Sequence, residues 1–267
     1  TVRPLLDWMV RKKVPRPIAS ILCATLVIGF LMGMVALIGV SIAQLATTLP
    51  QYSSRFTAVY WDAIDWLASL GVDGVRIDAA KHMAPEDIAA ILAEVPEDLT
   101  VIQEIIRASG EPIAPEQYVD HGGVFEFSFG RDIEGVVVGN SWSFFLEMGT
   151  GSRYVPDGET LVVPFVANHD TERNGSTLAA ADGDDYQLAN VLMLIHGYGS
   201  PMLLDSYAFS DKDAGAPAGS DGRVLAPVCG PAPVVGEDFP EYADGEFFCV
   251  QDWPQIRAAL RFDAIAG

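Results

Sequence analysis

The stretch "GVDGVRIDAAKHM", residues 71–83, decides how this chain is read. It opens on a glycine able to end a helix, runs into the apolar pattern of a strand, and sets Arg76 and Asp78 two residues apart within it. The two-residue period of a strand puts Val75 and Ile77 on one face and Arg76 and Asp78 on the other. Charge inside a strand that otherwise reads as buried is tolerated when it is paired or functional. The charged face is therefore expected to line a site.

Outward from this strand the pattern alternates. Before it, "AVYWDAIDWLASLG" spaces Trp61, Ile64, Leu67 and Leu70 as one face of a helix that Gly71 can cap in the left-handed conformation. After it, "APEDIAAILAEV" begins with Pro85, carries Glu86 and Asp87 in its first turn and repeats Ile88, Ile91, Leu92 and Val95. There follow the strands "LTVIQE", "GGVFEFSF" and "LVVPFVA", the helix "YQLANVLMLIHGYG", the strand "SPMLLDSYAF" and, past a Gly, Pro and Asp-rich region, the helix "WPQIRAALRF". This order predicts an α/β fold with a parallel sheet and right-handed crossovers, an open doubly wound sheet or a barrel.

Three of the strands end in acids: Asp78, Glu104 and Asp170. Ligands bind at the carboxyl ends of parallel strands, so the three acids are expected in one cavity. One such acid alone reads as a cap or a solvated loop residue; three, with Arg76 and His169 beside them, point to catalysis. Two carboxylates flanking a bond, one ionised and one protonated, are what glycosidic cleavage requires, and a third can stabilise a cationic transition state.

The N-terminal part has another character. The 267 residues carry a net charge of −20, yet Arg3, Arg11, Lys12, Lys13 and Arg16 place five of the sixteen basic residues at the start. The acidic remainder repels polyphosphate and argues against nucleic acid as a partner. Residues 18–45 are almost wholly apolar, which predicts a transmembrane helix, a buried core helix being the alternative. The basic flank would remain cytoplasmic and the rest would be extracytoplasmic, membrane-anchored or secreted. The expected division is 1–56, basic flank and span, with "LPQYSSRF" as a polar junction, and 57–267, a catalytic domain. Cys23, inside the proposed span, reads as a small apolar residue. Cys229 and Cys249 have no partner at zinc-ligand spacing and read as a disulfide, or else as two unpaired thiols.

"GVRIDAAKHM", "VIQE", "GGVFEFSF" and "FVANHDTERN", in this order, resemble the successive motifs of the α-amylases of glycoside hydrolase family thirteen, with "CG" and "FFCVQDW" continuing the resemblance in the tail. It implies a retaining endo-hydrolase of α-1,4-glucans such as starch. Asp78 would be the nucleophile, Glu104 the general acid/base and Asp170 the transition-state stabiliser. Arg76 would pair with Asp78, His169 would bind sugar hydroxyls, and Lys81 and His82 would line the leaving-group side. The resemblance also implies calcium, reached by the His82 carbonyl, and a tail disulfide matching Cys229 and Cys249. Arg76 and Asn168 match two chloride-binding positions; the third holds Met202 rather than a basic residue, so chloride is not expected. His121 and His196 read as structural. Trp142 and Tyr154 read as core, with sugar stacking as the alternative.

The chain departs from that family in extent. The family barrel has eight strands and this sequence shows about five, so the expectation is the back half of a (β/α)8 TIM-type barrel with two open edges. Most of the family's calcium ligands have no counterpart here. "RKKVPRPIASILCATLVIGF" through "LATTLPQYSSRF" resembles instead a segment of autoinducer-exporter-like permeases. A second reading is therefore a chimeric, membrane-anchored remnant without a competent site.

Overall fold

The computed structural model describes residues 3–266 other than 94, 97 and 159, with the backbone alone at 3, 6, 45–57, 263, 265 and 266. The chain divides into two compact units, Thr1–Asp62 and Ala63–Gly267.

The N-terminal unit is helical. Helix α1 (Arg3–Arg11) is followed by α2 (Arg16–Ser69), a single helix of 54 residues that continues into the second unit. Pro15 and Pro17 sit where a helix start leaves N–H groups unused anyway. The segment Arg16–Gln44 is long and apolar enough to cross a membrane, and side chains such as Phe30, Leu37 and Val40 along it are exposed. The expected break at "LPQYSSRF" does not occur: its backbone is helical, and its side chains lie outside the described residues. No glycine falls between Gly39 and Gly71, and the helix ends only when Gly71 adopts a left-handed φ of +84°. There the Gly71 N–H reaches the Ala68 carbonyl and the Val72 N–H the Leu67 carbonyl, which satisfies the last turn.

The second unit holds one four-stranded parallel sheet: β1 (Gly74–Ile77), β2 (Thr100–Gln103), β3 (Gly123–Glu126) and β4 (Val162–Pro164), paired in sequence order. The helices are α3 (Pro85–Leu92), α4 (Phe127–Val137), α5 (Trp142–Phe145), α6 (Thr171–Asn174), α7 (Asp184–His196) and α8 (Pro254–Ala266). Ile77, Val124 and Val162 meet the apolar residues of α3, α4, α7 and α8 in the main core. The other face gathers Phe125, Phe127, Val163 and Phe165 with Ile102. This is a partial TIM-like α/β fold, open at the β1 edge.

Three expectations are corrected. "GGVFEFSF" is a strand only as far as Glu126. The Glu126 side chain accepts the Ser128 N–H and so starts α4, whose Phe129, Ile133 and Val136 are buried at helical spacing. "SPMLLDSYAF" is not a strand among the described residues, which makes the sheet four-stranded instead of five. Ser200 and Met202 donate to the Val162 and Pro164 carbonyls, but Pro164 has no N–H to return the bond. Finally, the charged strand β1 is only half-buried, whereas β3 and β4 are buried throughout; β4, the other edge of the sheet, is covered in the main core.

Candidate active site

The strand register brings Arg76 opposite Ile102, which turns its side chain to the same face as Phe125. Its guanidinium lies 5.1 Å from the Phe125 ring centroid, a cation–π contact that fixes the fork. From there Arg76 Nη2 contacts Asp78 Oδ1 at 2.8 Å and Glu104 Oε1 at 2.9 Å, while Nη1 lies 2.9 Å from His169 Nδ1. His169 Nε2 in turn lies 3.8 Å from Asp78 Oδ1 and 3.6 Å from Asp170 Oδ1. One arginine and one histidine thus tie together the three acids that end separate segments of the chain.

The acids differ in surroundings. The Glu104 side chain is 4% exposed and that of Asp78 62%. Glu104 Oε2 accepts the Ala79 N–H at 2.8 Å, and Ala79 holds a left-handed φ of +50° to aim it. A non-glycine residue in this region is strained, and such strain persists where the surroundings over-determine the turn. The Asp170 loop is shaped by Asn168, whose Oδ1 accepts the N–H groups of Asp170 and Thr171. Asp78 and Glu104 share one Nη2, so their facing oxygens are under about 6 Å apart, compatible with the about 5–5.5 Å of a retaining pair.

Lys81 and His82 sit in a short 3-10 turn beyond β1. Lys81 Nζ is engaged by Glu111 at 2.8 Å and by the Ile106 carbonyl at 3.3 Å; His82 is exposed. Calcium needs six to eight oxygens, and among the described residues no three His, Cys, Asp or Glu side chains gather for a metal. Arg76, Asn168 and Met202 do line one cavity, of about 90 Å³, together with Phe125, Phe165 and Leu204. There the Arg76 guanidinium is already engaged by the carboxylates of Asp78 and Glu104. His196 is structural, its Nε2 lying 2.9 Å from the Phe145 carbonyl and its ring packed on Phe129 and Phe145. Tyr154 is buried against Asp132, whereas Trp142 is exposed at the start of α5. Cys229 and Cys249 form a disulfide.

Glu126 escaped the sequence reading, although it ends β3 as the other acids end their strands. It is buried and accepts the N–H groups of Ser128 and Val155, which fastens the loop before β4 to the sheet. The side chain of Glu172, two residues beyond Asp170, is 6% exposed. Desolvation pushes its carboxyl up from the usual range against the opposing pull of its Ser206 hydrogen bond and of Arg173.

No family model matches the chain. An α-amylase of Streptomyces violaceus is 40% identical over 197 residues, 73% of this chain and 31% of the relative. An α-amylase of Hypothenemus hampei is 39% identical over 62% of this chain and 36% of its own length, and an α-amylase-related protein of Drosophila sechellia 32% over 80% and 44%. Among solved structures, wild-type α-amylase I of Eisenia fetida superposes with a TM-score of 0.60 at 25% identity, covering 73% of this chain and 42% of that one. A mutant of that enzyme in complex with maltohexaose gives 0.57 at 26%. The chain thus spans less than half the length of these relatives, and nothing among them supports the permease resemblance. Sequence and fold agree that this chain contains an α-amylase segment of the glycoside hydrolase family thirteen kind.

Proposed function

We propose that this segment encodes a retaining endo-hydrolase of α-1,4-glucosidic bonds in starch-like or glycogen-like glucans. The observation that carries the reading is the Arg76 Nη2 shared by Asp78 and Glu104. In the reaction Asp78 attacks the anomeric carbon and Glu104 gives its proton to the leaving oxygen. Water then attacks the glycosyl ester, Glu104 takes up the water's proton, and Asp78 is released. Asp170 faces the oxocarbenium-like charge; Arg76 positions Asp78 between turnovers, and His169, half-exposed between two acids, meets the sugar hydroxyls. A glucan ligand is supported by the maltohexaose held by the mutant earthworm enzyme. The Cys229–Cys249 disulfide and the apolar Arg16–Gln44 segment support an extracytoplasmic place, with that segment in the membrane.

The test is release of reducing ends from soluble starch by the purified chain, with calcium supplied, beside Asp78→Asn. Loss of the nucleophile is expected to cost on the order of a thousandfold or more. Equal rates in both would refute the assignment. A second reading, a remnant without a competent site, draws on the open β1 edge, which leaves Asp78 largely exposed; absence of activity in both folded proteins would favour it.

A further inference from the structure

Residues 1–17 carry a charge pattern opposite to that of the rest of the chain. Asp7 is the only acid before Asp62, whereas Arg11, Lys12, Lys13 and Arg16 stand close together in a chain of net charge −20. All four are exposed, and among the described residues none of them forms an ion pair. A helix C-terminus favours a cation in its last turn, and Arg11 at the end of α1 meets that need alone. The other three require a different explanation.

The turn between α1 and α2 holds these cations together. The Lys12 N–H reaches the Trp8 carbonyl at 3.1 Å, which carries α1 on by one residue, and the Val14 N–H reaches the Met9 carbonyl at 3.2 Å. Between them Lys13 takes a left-handed φ of +66°, where a helix end ordinarily takes glycine or asparagine. At about 100° per residue, Leu5, Trp8, Arg11 and Lys12 fall within about 120° of arc on α1, and Asp7 falls outside it. Leu5 is 39% and Trp8 53% exposed. One face therefore offers an aliphatic side chain and an indole beside two cations, and just past Lys13 begins the apolar segment Arg16–Gln44. Exposed apolar groups and unpaired cations, beside a segment long enough to cross a bilayer, fit one surface: the headgroup layer, where indoles and long cationic side chains gather. A soluble acidic protein would answer the cations but not Leu5 and Trp8.

We propose that α1 and the turn 12–15 form a docking surface for anionic phospholipids, with Leu5 and Trp8 set at the edge of the acyl chains and Arg11, Lys12, Lys13 and Arg16 on the phosphate groups. Each cation held at an anionic surface contributes about fivefold in affinity, and salt screens that attraction. The proposal goes beyond the glycosidase reading and rests only on the placement of Arg16–Gln44 in the membrane.

The test uses the full chain reconstituted into vesicles. In pure phosphatidylcholine, flotation that survives an alkaline wash is expected and shows the span inserted; chain released by the wash overturns that placement and the proposal with it. In an equimolar mixture of phosphatidylcholine and phosphatidylglycerol with matched acyl chains, the lipids that stay on the chain after mild detergent extraction are counted by native mass spectrometry. Phosphatidylglycerol is expected to be enriched about tenfold at low salt, and Arg11→Gln, Lys12→Gln, Lys13→Gln and Arg16→Gln together to bring the ratio close to one. Equal retention of the two lipids by the inserted wild type overturns the proposal and leaves the span in place. Enrichment that survives the combined substitutions belongs to another part of the chain and also overturns it. Phosphate and chloride at equal ionic strength should reduce the enrichment alike; loss in phosphate alone would reveal a site for the free anion and overturn the docking surface. Should the variant fail to insert, the wild-type ratio and its fall with salt decide.

Discussion

Ala79 and Glu172 are the residues whose local chemistry is most exposed to substitution. Ala79 carries a left-handed φ and delivers its N–H to Glu104. A β-branched side chain is strongly disfavoured there, so Ala79→Val should lower stability by about 2 kcal/mol in denaturant titrations, whereas Ala79→Gly should not. If valine is tolerated as well as glycine, the turn is not strained. Glu172 tests the burial argument through pH. Its folded carboxyl is raised above the usual range, so the folded state binds the extra proton, and this contribution is fully present in acid and is lost as pH rises through the raised value. The isosteric Glu172→Gln cannot ionise and keeps an oxygen for Ser206. Wild type should therefore lose stability relative to this variant from acid towards neutral pH, read as diverging denaturation midpoints. Parallel midpoints would show that the carboxyl is not raised by burial.

At the scale of elements, glycines and acids decide where strands and helices end. A Cβ on Gly123 would stand 2.7 Å from the Leu161 carbonyl oxygen, so β3 begins at a residue without one because the neighbouring chain passes so close. Glu126 then ends the strand by capping α4 with its own side chain. The tail needs help of a different kind. Between α7 and α8 its backbone forms isolated bridges, such as Tyr207 with Phe247 and Cys229 with Phe247, and one short 3-10 turn, Val250–Asp252, and the Cys229–Cys249 bond closes a loop of 20 residues there. Reduction should lower stability by about 3 kcal/mol, measured as the shift of the unfolding midpoint with and without reductant. An unchanged midpoint would mean that the aromatic contacts of Tyr242 with Phe248 and of Phe239 with Trp253 hold the tail unaided.

For the molecule as a whole, the governing fact is an open sheet. Strands β2 and β3 have neighbours on both sides, while β1 pairs on one side alone among the described strands. Burial rises from the half-buried β1 to the fully buried β3 and to β4, an edge strand that the helices cover. In hydrogen exchange, the β1 amides directed away from β2 should exchange on the order of a hundredfold faster than those of the two central strands. Equal protection would show that another chain or segment covers that edge. The same openness bears on the proposed catalysis, because Arg76 lies on the edge strand and Asp78 directly follows it, and about 1 Å of misplacement can cost about a hundredfold in rate.

By itself the sequence determined the parallel α/β alternation, the helix end at Gly71, the Pro85 start of α3 and the three acids with Arg76 and His169, because these are local patterns: apolar periodicity, caps, and charge at the ends of strands. It read "GGVFEFSF" as a strand throughout because an alternation of Phe with polar residues looks the same until Glu126 turns back to cap the chain. It read "SPMLLDSYAF" as a fifth strand because nothing in that segment reveals that Pro164, on the neighbouring one, cannot return the hydrogen bond. Only the tertiary structure decided that one Nη2 joins Asp78 to Glu104 and that Glu126 is consumed by backbone. Those facts depend on distances between segments far apart in the chain, which strand register and packing set and no local pattern encodes.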